Sequence, residues 1–399
     1  GSSLESRVRI ASVMRRESER AFQSSVTPSR FQRAALIGIT AGDRDSTESS
    51  LEELARLAQT AGAIPVFRIL QERRRPHPGT FLGLGKVKEL GRACEEHEIN
   101  VVIADSELSP IQRGNLEEIV QCGVIDRTQL ILDIFARRAR SSEGKLQVEL
   151  AQLRYLLPRL VGFGRALSRL GGGIGTRGPG ETKLETDRRR IHRRLSAVKR
   201  QIERVRKHRA QLRARRTKRQ LPTVALVGYT NAGKTTLFNR LTGDDAVASD
   251  ALFVTLDPLV RRLRLSDNRT VLCSDTVGFL DRLPHTLVAA FRATLEEVAE
   301  ADLVVQVCDS SSPVRDEHVR AVQRVLAEIR ADTVPCVVVW NKSDLITREE
   351  RRRIRLREPG SVCLSAIDPA SRSIALELIE KGLRRTTTGA QYCETGRTA

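Results

Sequence analysis

No Cys-x-x-Cys pair occurs among the seven cysteines of this 399-residue chain. The scattered thiols fit a reducing, cytosol-like compartment. Cys273, Cys308, Cys336 and Cys363 lie in or beside apolar β runs and are expected to be buried. No uninterrupted apolar stretch reaches the roughly 18 residues that a membrane-spanning helix needs. Acidic residues are in deficit: 68 Lys or Arg face 49 Asp or Glu, for a net charge of +19. The excess is concentrated, with 17 Lys or Arg against 4 Asp or Glu between Glu181 and Gln220. This stretch is poor in aromatics, so a base-stacking platform for single strands is not indicated. A solvated helix face is the plain alternative, but so dense a run fits phosphate contact along a folded RNA surface better.

What the chain does have is a strand, a glycine-framed loop and a helix start in direct succession. Val224–Val227 is an apolar β run, Gly228 to Gly233 closes a loop, and Lys234-Thr235-Thr236 opens a helix. Gly228, Asn231, Ala232 and Gly233 allow the backbone N–H groups to turn inward on phosphate oxygens. Lys234 supplies a point charge, Thr235 a hydroxyl for Mg²⁺, and Thr236 continues the cradle. Downstream, Asp275 at the end of a second run and Thr255 in Leu252-Phe-Val-Thr255 are candidates for the Mg²⁺ shell, and Gly278 for the γ-phosphate. A third run ends in Asn341-Lys342-Ser343-Asp344. The Asp344 carboxylate can accept two hydrogen bonds from a guanine edge, which adenine cannot donate. The Lys342 stem can lie over the purine, and Asn341 can tie this loop to the P-loop. Ser365 and Ala366 follow a fourth run and are read as the loop contacting the guanine carbonyl. Four motifs in this order imply a GTPase domain binding GTP and GDP with Mg²⁺.

Two residues bear on hydrolysis. Phe279 stands where many GTPases carry a glutamine that orients the attacking water, so turnover by the isolated chain is expected to be slow. Asn231 has two readings, a tight-turn asparagine or a ligand for K⁺ of the kind that several related GTPases use. The second predicts faster hydrolysis in K⁺ than in Na⁺.

Between residues 141 and 220 the chain reads as a helical hairpin arm. Leu184, Ile191, Leu195, Val198, Ile202, Val205 and Leu212 repeat with a/d spacing, and Leu146, Leu150, Leu153, Leu157, Leu160 and Leu167 form a facing seam. Pro158 is expected to kink or interrupt the first helix. The tip, 171–180, holds six glycines and Arg177. That is more glycine than a plain connection needs, and it suits close backbone approach to a ligand or an RNA crevice.

The N-terminal region reads as a small α/β unit with a mostly parallel sheet. Strands are expected at Ala34–Ile39, Val66–Leu70 and Val101–Ala104. Helices are expected over Ser50–Ala61, opened by a Ser50/Glu53 capping box, and over Lys86–Glu98, with Asp126 capping another that runs to Ala136. Gly83-Leu-Gly-Lys86 is a weak phosphate-loop pattern and a glycine turn is the simpler account. Residues 1–33 are Arg- and Ser-rich; Glu5, Glu17 and Glu19 weigh against a transit peptide, and the stretch reads as a mobile basic tail.

Taken whole, the chain resembles the HflX family, GTPases that bind the large ribosomal subunit and split ribosomes. The likeness runs from about Ala34 to Leu383. It is carried by Glu107–Gln112, Asp126–Phe135, Glu143–Leu153 and Gly171–Arg190, and above all by Gly178-Pro-Gly-Glu-Thr-Lys-Leu-Glu-Thr-Asp187. The resemblance implies that the arm reaches toward the peptidyl transferase centre. Gly171, Gly172, Gly173, Arg177, Gly178, Gly180, Arg188, Arg189 and Arg190 are then the candidates for ribosomal RNA contact. Phe279 is typical of this family and so not a mark of an inactive enzyme.

The expected architecture is α/β: a basic tail (1–33), an N-terminal α/β domain (34–140), the helical arm (141–220), a P-loop GTPase domain (221–385) and a short tail (386–399), with no further C-terminal domain. The expected function is a monomeric GTP switch that splits stalled or idle ribosomes in a bacterial-type cytoplasm, an organellar matrix being the lesser alternative. A GTPase assisting large-subunit assembly, or an RNA-binding scaffold with a structural nucleotide, are the rival readings.

Overall fold

A computed structural model describes residues 32–170, 179–218, 221–244, 252–253, 255–256, 258–280, 295 and 297–395. For 160–170, 179–184, 187, 209–210, 212–218 and 386–395 the description is of backbone only. The basic tail and the glycines of the tip, 171–178, lie outside the described residues.

The N-terminal unit runs β1 (Gln32–Thr40), α1 (Arg44–Thr60), β2 (Ala63–Glu72), α2 (Leu84–Glu96), β3 (Val101–Ala104), α3 (Pro110–Val120), β4 (Gly123–Asp126) and α4 (Arg127–Arg138). Its four strands are parallel in the order β2-β1-β3-β4. Alternation along the central strands divides two cores. Ala34, Leu36, Val101 and Ile103 face α1 and α4, whereas Ala35, Ile37, Val102 and Ala104 face α2 and α3. Burial on both faces explains why these strands read as continuous apolar runs.

The helix signals hold in part. Asp126 caps α4 as expected, accepting from the Gln129 N–H at 2.9 Å. The Ser50/Glu53 box does not form, and α1 begins at Arg44 with Asp43 as its cap. Ser50 Oγ donates instead to Asp105 at 2.6 Å, and Glu53 is engaged by Arg127. Tertiary partners have taken both side chains from the local motif. A capping box does occur at Ser109/Gln112, with Pro110 in the first turn of α3. Gly83 N–H is bonded to Gln71 Oε1 at 2.8 Å, so the weak phosphate pattern here is a helix-start glycine turn.

Asp133 in α4 is half-buried, and burial pushes its carboxyl up to about 6 despite the opposing pull of Arg137 and Arg113. A carboxyl raised above its unfolded value favours folding least once ionised. Stability is thus lost as pH climbs from about 4 through 6 and stays low above it. Asp133→Asn is expected to stabilise the protein by ~2 kcal/mol at pH 7.5 and to be neutral near pH 4. Thermal melts at the two pH values check this; equal shifts at both would refute it.

The arm consists of α5 (Ser142–Leu170) and α6 (Pro179–Lys218). Leu146, Leu150 and Leu153 pack against Leu195, Val198 and Ile202, as the seam predicts. Arg194 pairs with Glu149 across it. Contrary to expectation, α5 continues through Pro158. A proline inside a helix costs about 3 kcal/mol, but Val148, Ala151 and Tyr155 before it are buried in the core shared with α4, and Arg159 after it pairs with Asp126 at 2.9 Å. Gly180, read as tip, lies in the first turn of α6, which Pro179 opens.

The GTPase unit runs β5 (Thr223–Gly228), α7 (Lys234–Thr242), β6 (Leu259–Arg264), β7 (Thr270–Asp275), β8 (Leu303–Asp309), α8 (Arg315–Glu328), β9 (Cys336–Asn341), α9 (Arg348–Arg357), β10 (Val362–Cys363) and α10 (Ser371–Thr395). The sheet order is β10-β9-β8-β5-β7-β6, with β6 alone antiparallel. Parallel strands bring the loops after β5, β7, β9 and β10 to one edge, where an open α/β sheet binds its ligand. α10 continues past 385 into the stretch read as a tail, since no proline stops it. Cys273, Cys308 and Cys363 are buried as expected; Cys336 opens β9 and is exposed. No described helix is long and apolar enough to cross a membrane.

The two sheets share one apolar cluster. Leu54, Ile134 and Phe135 of the N-terminal unit are buried together with Tyr229, Leu252, Phe253, Phe279 and Leu280 of the GTPase unit. Phe135 meets Phe253 edge to face at 4.5 Å, and Leu252 N–H donates to Thr60 Oγ1 at 3.2 Å.

Candidate nucleotide-binding site

The loop from β5 to α7 is shaped by two glycines. Gly228 and Gly233 have φ of 156° and 86°, and a Cβ on either would collide, with the Val307 carbonyl in one case and the Asn341 amide in the other. Asn231 between them is also left-handed, at φ 59°, a conformation asparagine tolerates well. Phe279 N–H donates to Gly228 O at 3.0 Å, and Thr230 N–H donates to Phe279 O at 2.7 Å. The segment carrying Asp275 and Gly278 is thereby bonded to the start of the loop. A Cβ on Gly278 would lie 2.9 Å from Thr230 Cγ2 and 3.0 Å from Thr230 Cα and Lys234 Nζ, so glycine lets this segment pass close against the loop and its lysine.

Lys234 is 6% exposed and donates to the Tyr229 carbonyl at 2.9 Å. Burial pulls its ammonium down to about 8, with Asp275 opposing that shift. Asp275 is fully buried, and desolvation raises its carboxyl, partly offset by Lys234 and by hydrogen bonds from Thr235 and Thr255. Thr235 Oγ1 and Thr255 Oγ1 reach Asp275 Oδ2 at 2.7 and 2.8 Å and lie 2.9 Å from each other. Sequence reasoning assigned these three residues to Mg²⁺, and the structure brings all three together. The set fits that ion. The donors are hard oxygens, and Asp275 Oδ1 is buried without a hydrogen-bond partner. A single carboxylate with hydroxyls is the mixture Mg²⁺ accepts when phosphates and water complete its shell.

At the far side, Asn341 donates from Nδ2 to Ala232 O and accepts at Oδ1 from Ala366 N–H, both at 2.9 Å. One side chain thus joins the phosphate loop, the β9 loop and the loop after β10. Lys342 adopts φ 58° and pairs with Asp309 at 2.7 Å. Asp344 is exposed in the short 3₁₀ turn Ser343–Leu345, and Ser365 Oγ is buried without a partner. Sequence reasoning missed Asp309 and Ser310. Ser310 bonds the Asn341 carbonyl through both N–H and Oγ. Their position at the end of the apolar run Leu303–Asp309 was the available signal. Thr236 is the third residue of α7, and Arg188, Arg189 and Arg190 are exposed on α6, far along the chain from this cluster. Glu185 pairs with Arg189 at 3.1 Å and with Arg188 at 3.9 Å.

A phosphate loop, a buried threonine–aspartate cluster and an Asn-Lys-x-Asp loop on one edge of a mostly parallel sheet define a P-loop GTPase, here joined to an α/β unit and a helical arm. Family models match in the same order: the N-terminal region of GTP-binding GTPases over 48–136, their middle region over 138–216, and a 50S ribosome-binding GTPase over 223–342. GTPase HflX of Caldanaerobacter subterraneus is 52% identical over 79% of this chain and 73% of its own length. GTPase HflX of Escherichia coli is 49% identical over 81% and 76%, and that of Chlamydia pneumoniae 38% over 89% and 77%. The chain belongs to the HflX family of GTPases. Among solved structures, a GTP-binding protein from Sulfolobus solfataricus in complex with GDP is similar at 23% identity and a TM-score of 0.47, over 89% of this chain and 99% of that one.

Proposed function

We propose that this GTPase is a switch that, in its GTP state, binds the large ribosomal subunit and splits ribosomes, acting as a monomer in a bacterial-type cytoplasm. The observation that carries this reading is the row of exposed Arg188, Arg189, Arg190 and Arg193 on α6. That helix is stapled through Leu195 and Val198 to α5, whose other face is in the core shared by both units. A rigid, basic arm fixed to the nucleotide-binding unit is suited to contact along RNA phosphates. The reading extends to the tip glycines and Arg177 as the part that reaches the peptidyl transferase centre.

At the nucleotide, Gly228, Ala232, Gly233, Lys234, Thr236 and Gly278 are assigned to the phosphates, and Asn341, Lys342, Asp344, Ser365 and Ala366 to guanine. Mg²⁺ at Thr235, Thr255 and Asp275 would neutralise charge on the outer phosphate oxygens. Phe279 is 1% exposed, its ring in the shared core. It can orient no water, so that task falls to backbone groups, to K⁺ held by Asn231, or to the ribosome.

Light scattering of intact ribosomes mixed with the protein tests the proposal. Dissociation is expected with GTP and with a non-hydrolysable analogue but not with GDP, and ribosome-stimulated hydrolysis is expected to be faster in K⁺ than in Na⁺. No dissociation in any nucleotide state would overturn it in favour of a role in subunit assembly.

A further inference from the structure

We propose that Glu53, on the first helix of the N-terminal unit, is a positioning residue of the nucleotide site, acting on the P-loop through the side chain of Tyr229. Tyr229 is the first residue after Gly228. Its main chain belongs to the phosphate cradle, where its carbonyl accepts from Lys234 Nζ at 2.9 Å. Its side chain leaves the cradle altogether. The ring is 7% exposed and stacks on the His318 imidazole of α8, with centroids 3.7 Å apart and planes 13° from parallel. The phenol donates to Glu53 Oε1, which is 176 positions away in sequence.

Glu53 is itself held. Its other oxygen pairs with the Arg127 guanidinium, whose side chain is 4% exposed and which also binds Asp105 at 2.8 Å and Ser50 at 3.2 Å. Arg127 stays protonated here: burial alone would lower its pKa, but the carboxylates of Glu53 and Asp105 outweigh it. The Glu53 carboxylate, held by the Arg127 guanidinium, is a fixed acceptor in a water-poor setting, where a hydrogen bond to an ion-paired carboxylate is strong. Leu51 and Leu54, on the same helix, and Phe135 belong to the same buried cluster as Tyr229 and Phe279.

The consequence is a preorganised loop. A cradle fixed before the ligand arrives pays less ordering entropy on binding. Phe279 is bonded to both neighbours of Tyr229, so the restraint also reaches the segment that carries Gly278. The effect belongs in nucleotide affinity rather than in the chemical step, because Glu53 acts on the loop from outside the cradle, through the Tyr229 phenol.

The test uses the full chain, a fluorescent GDP and steady-state GTP hydrolysis. Tyr229→Phe removes a single oxygen and leaves the Glu53–Arg127 pair in place. It is expected to speed GDP release and raise KM for GTP by about tenfold, with kcat within twofold of the parent. Glu53→Ala should do the same, and Glu53→Gln, which keeps an acceptor, should recover most of the loss. The Tyr229→Phe/Glu53→Ala double variant should be no worse than the worse single variant, as coupled partners require. Three outcomes overturn the proposal. One is Tyr229→Phe behaving as the parent in both KM and GDP release; a second is effects that multiply in the double variant. A fall in kcat at unchanged KM, the mark of a partly unfolded population, would also overturn it.

Discussion

Lys234→Ala is expected to lower affinity for both GTP and GDP by about three orders of magnitude, measured by calorimetric titration. The ammonium is the only cation that the structure places inside the described part of the phosphate cradle, within reach of the Tyr229 carbonyl and beside Gly278. A unit charge about 4 Å from phosphate at an effective dielectric near 20 contributes about 4 kcal/mol, and each 1.4 kcal/mol is a factor of ten. The fold should survive the change. Burial already disfavours this ammonium, and its hydrogen bond to a loop carbonyl contributes about 1 kcal/mol. A variant that melts near the parent temperature yet fails to bind nucleotide would thus isolate the phosphate contact. If the switch reading is right, the same variant should lose nucleotide-dependent association with ribosomes. GDP affinity retained within tenfold would place the phosphates elsewhere.

The nucleotide site was legible in the sequence because its chemistry is local. Phosphate, Mg²⁺ and guanine each demand particular residues at the end of one strand, so Gly228–Thr236, Asp275 and Asn341–Asp344 each announce themselves within a few positions. Parallel strand order then brings the loops together. The buried cysteines, the arm seam at Leu150 and Val198, and the Asp126 cap were legible for the same reason.

What was not legible is the joining of the two units. Ser50 and Glu53 spell a capping box, yet their partners are Asp105, Arg127 and Tyr229, which are distant in sequence. Nothing in a local motif says that a tertiary partner will outbid the backbone for a side chain. Pro158 misleads likewise, because its expected effect ignores the packing of Val148, Ala151 and Tyr155 of α5. Phe279 read as a missing glutamine; the fold adds that its ring fills the core between the units. Leu252, Phe253, Phe279 and Leu280, beside Thr255 and Gly278, therefore lie against the N-terminal helices.

Asp344→Asn is expected to exchange guanine for xanthine selectivity, with GTP affinity falling by about two to three orders of magnitude and xanthosine triphosphate binding close to what the parent gives for GTP. Guanine offers N1–H and an exocyclic amine, two donors side by side, which a carboxylate accepts together. Asparagine presents one acceptor and one donor, so against guanine its amide hydrogens face the exocyclic amine. Xanthine replaces that amine with a carbonyl and restores the match. The backbone around the position argues that the swap will be read cleanly. Asn341 pins the loop to Ala232 and Ala366, Lys342 is fixed at φ 58° with its ammonium on Asp309, and Asp344 itself is exposed, so a substitution of equal shape disturbs little. Direct calorimetric titration of each triphosphate, for parent and variant, gives the answer. Unchanged preference for GTP would mean that base recognition rests on the backbone at Ser365 and Ala366 alone, and that the Asn-Lys-x-Asp loop only supports it.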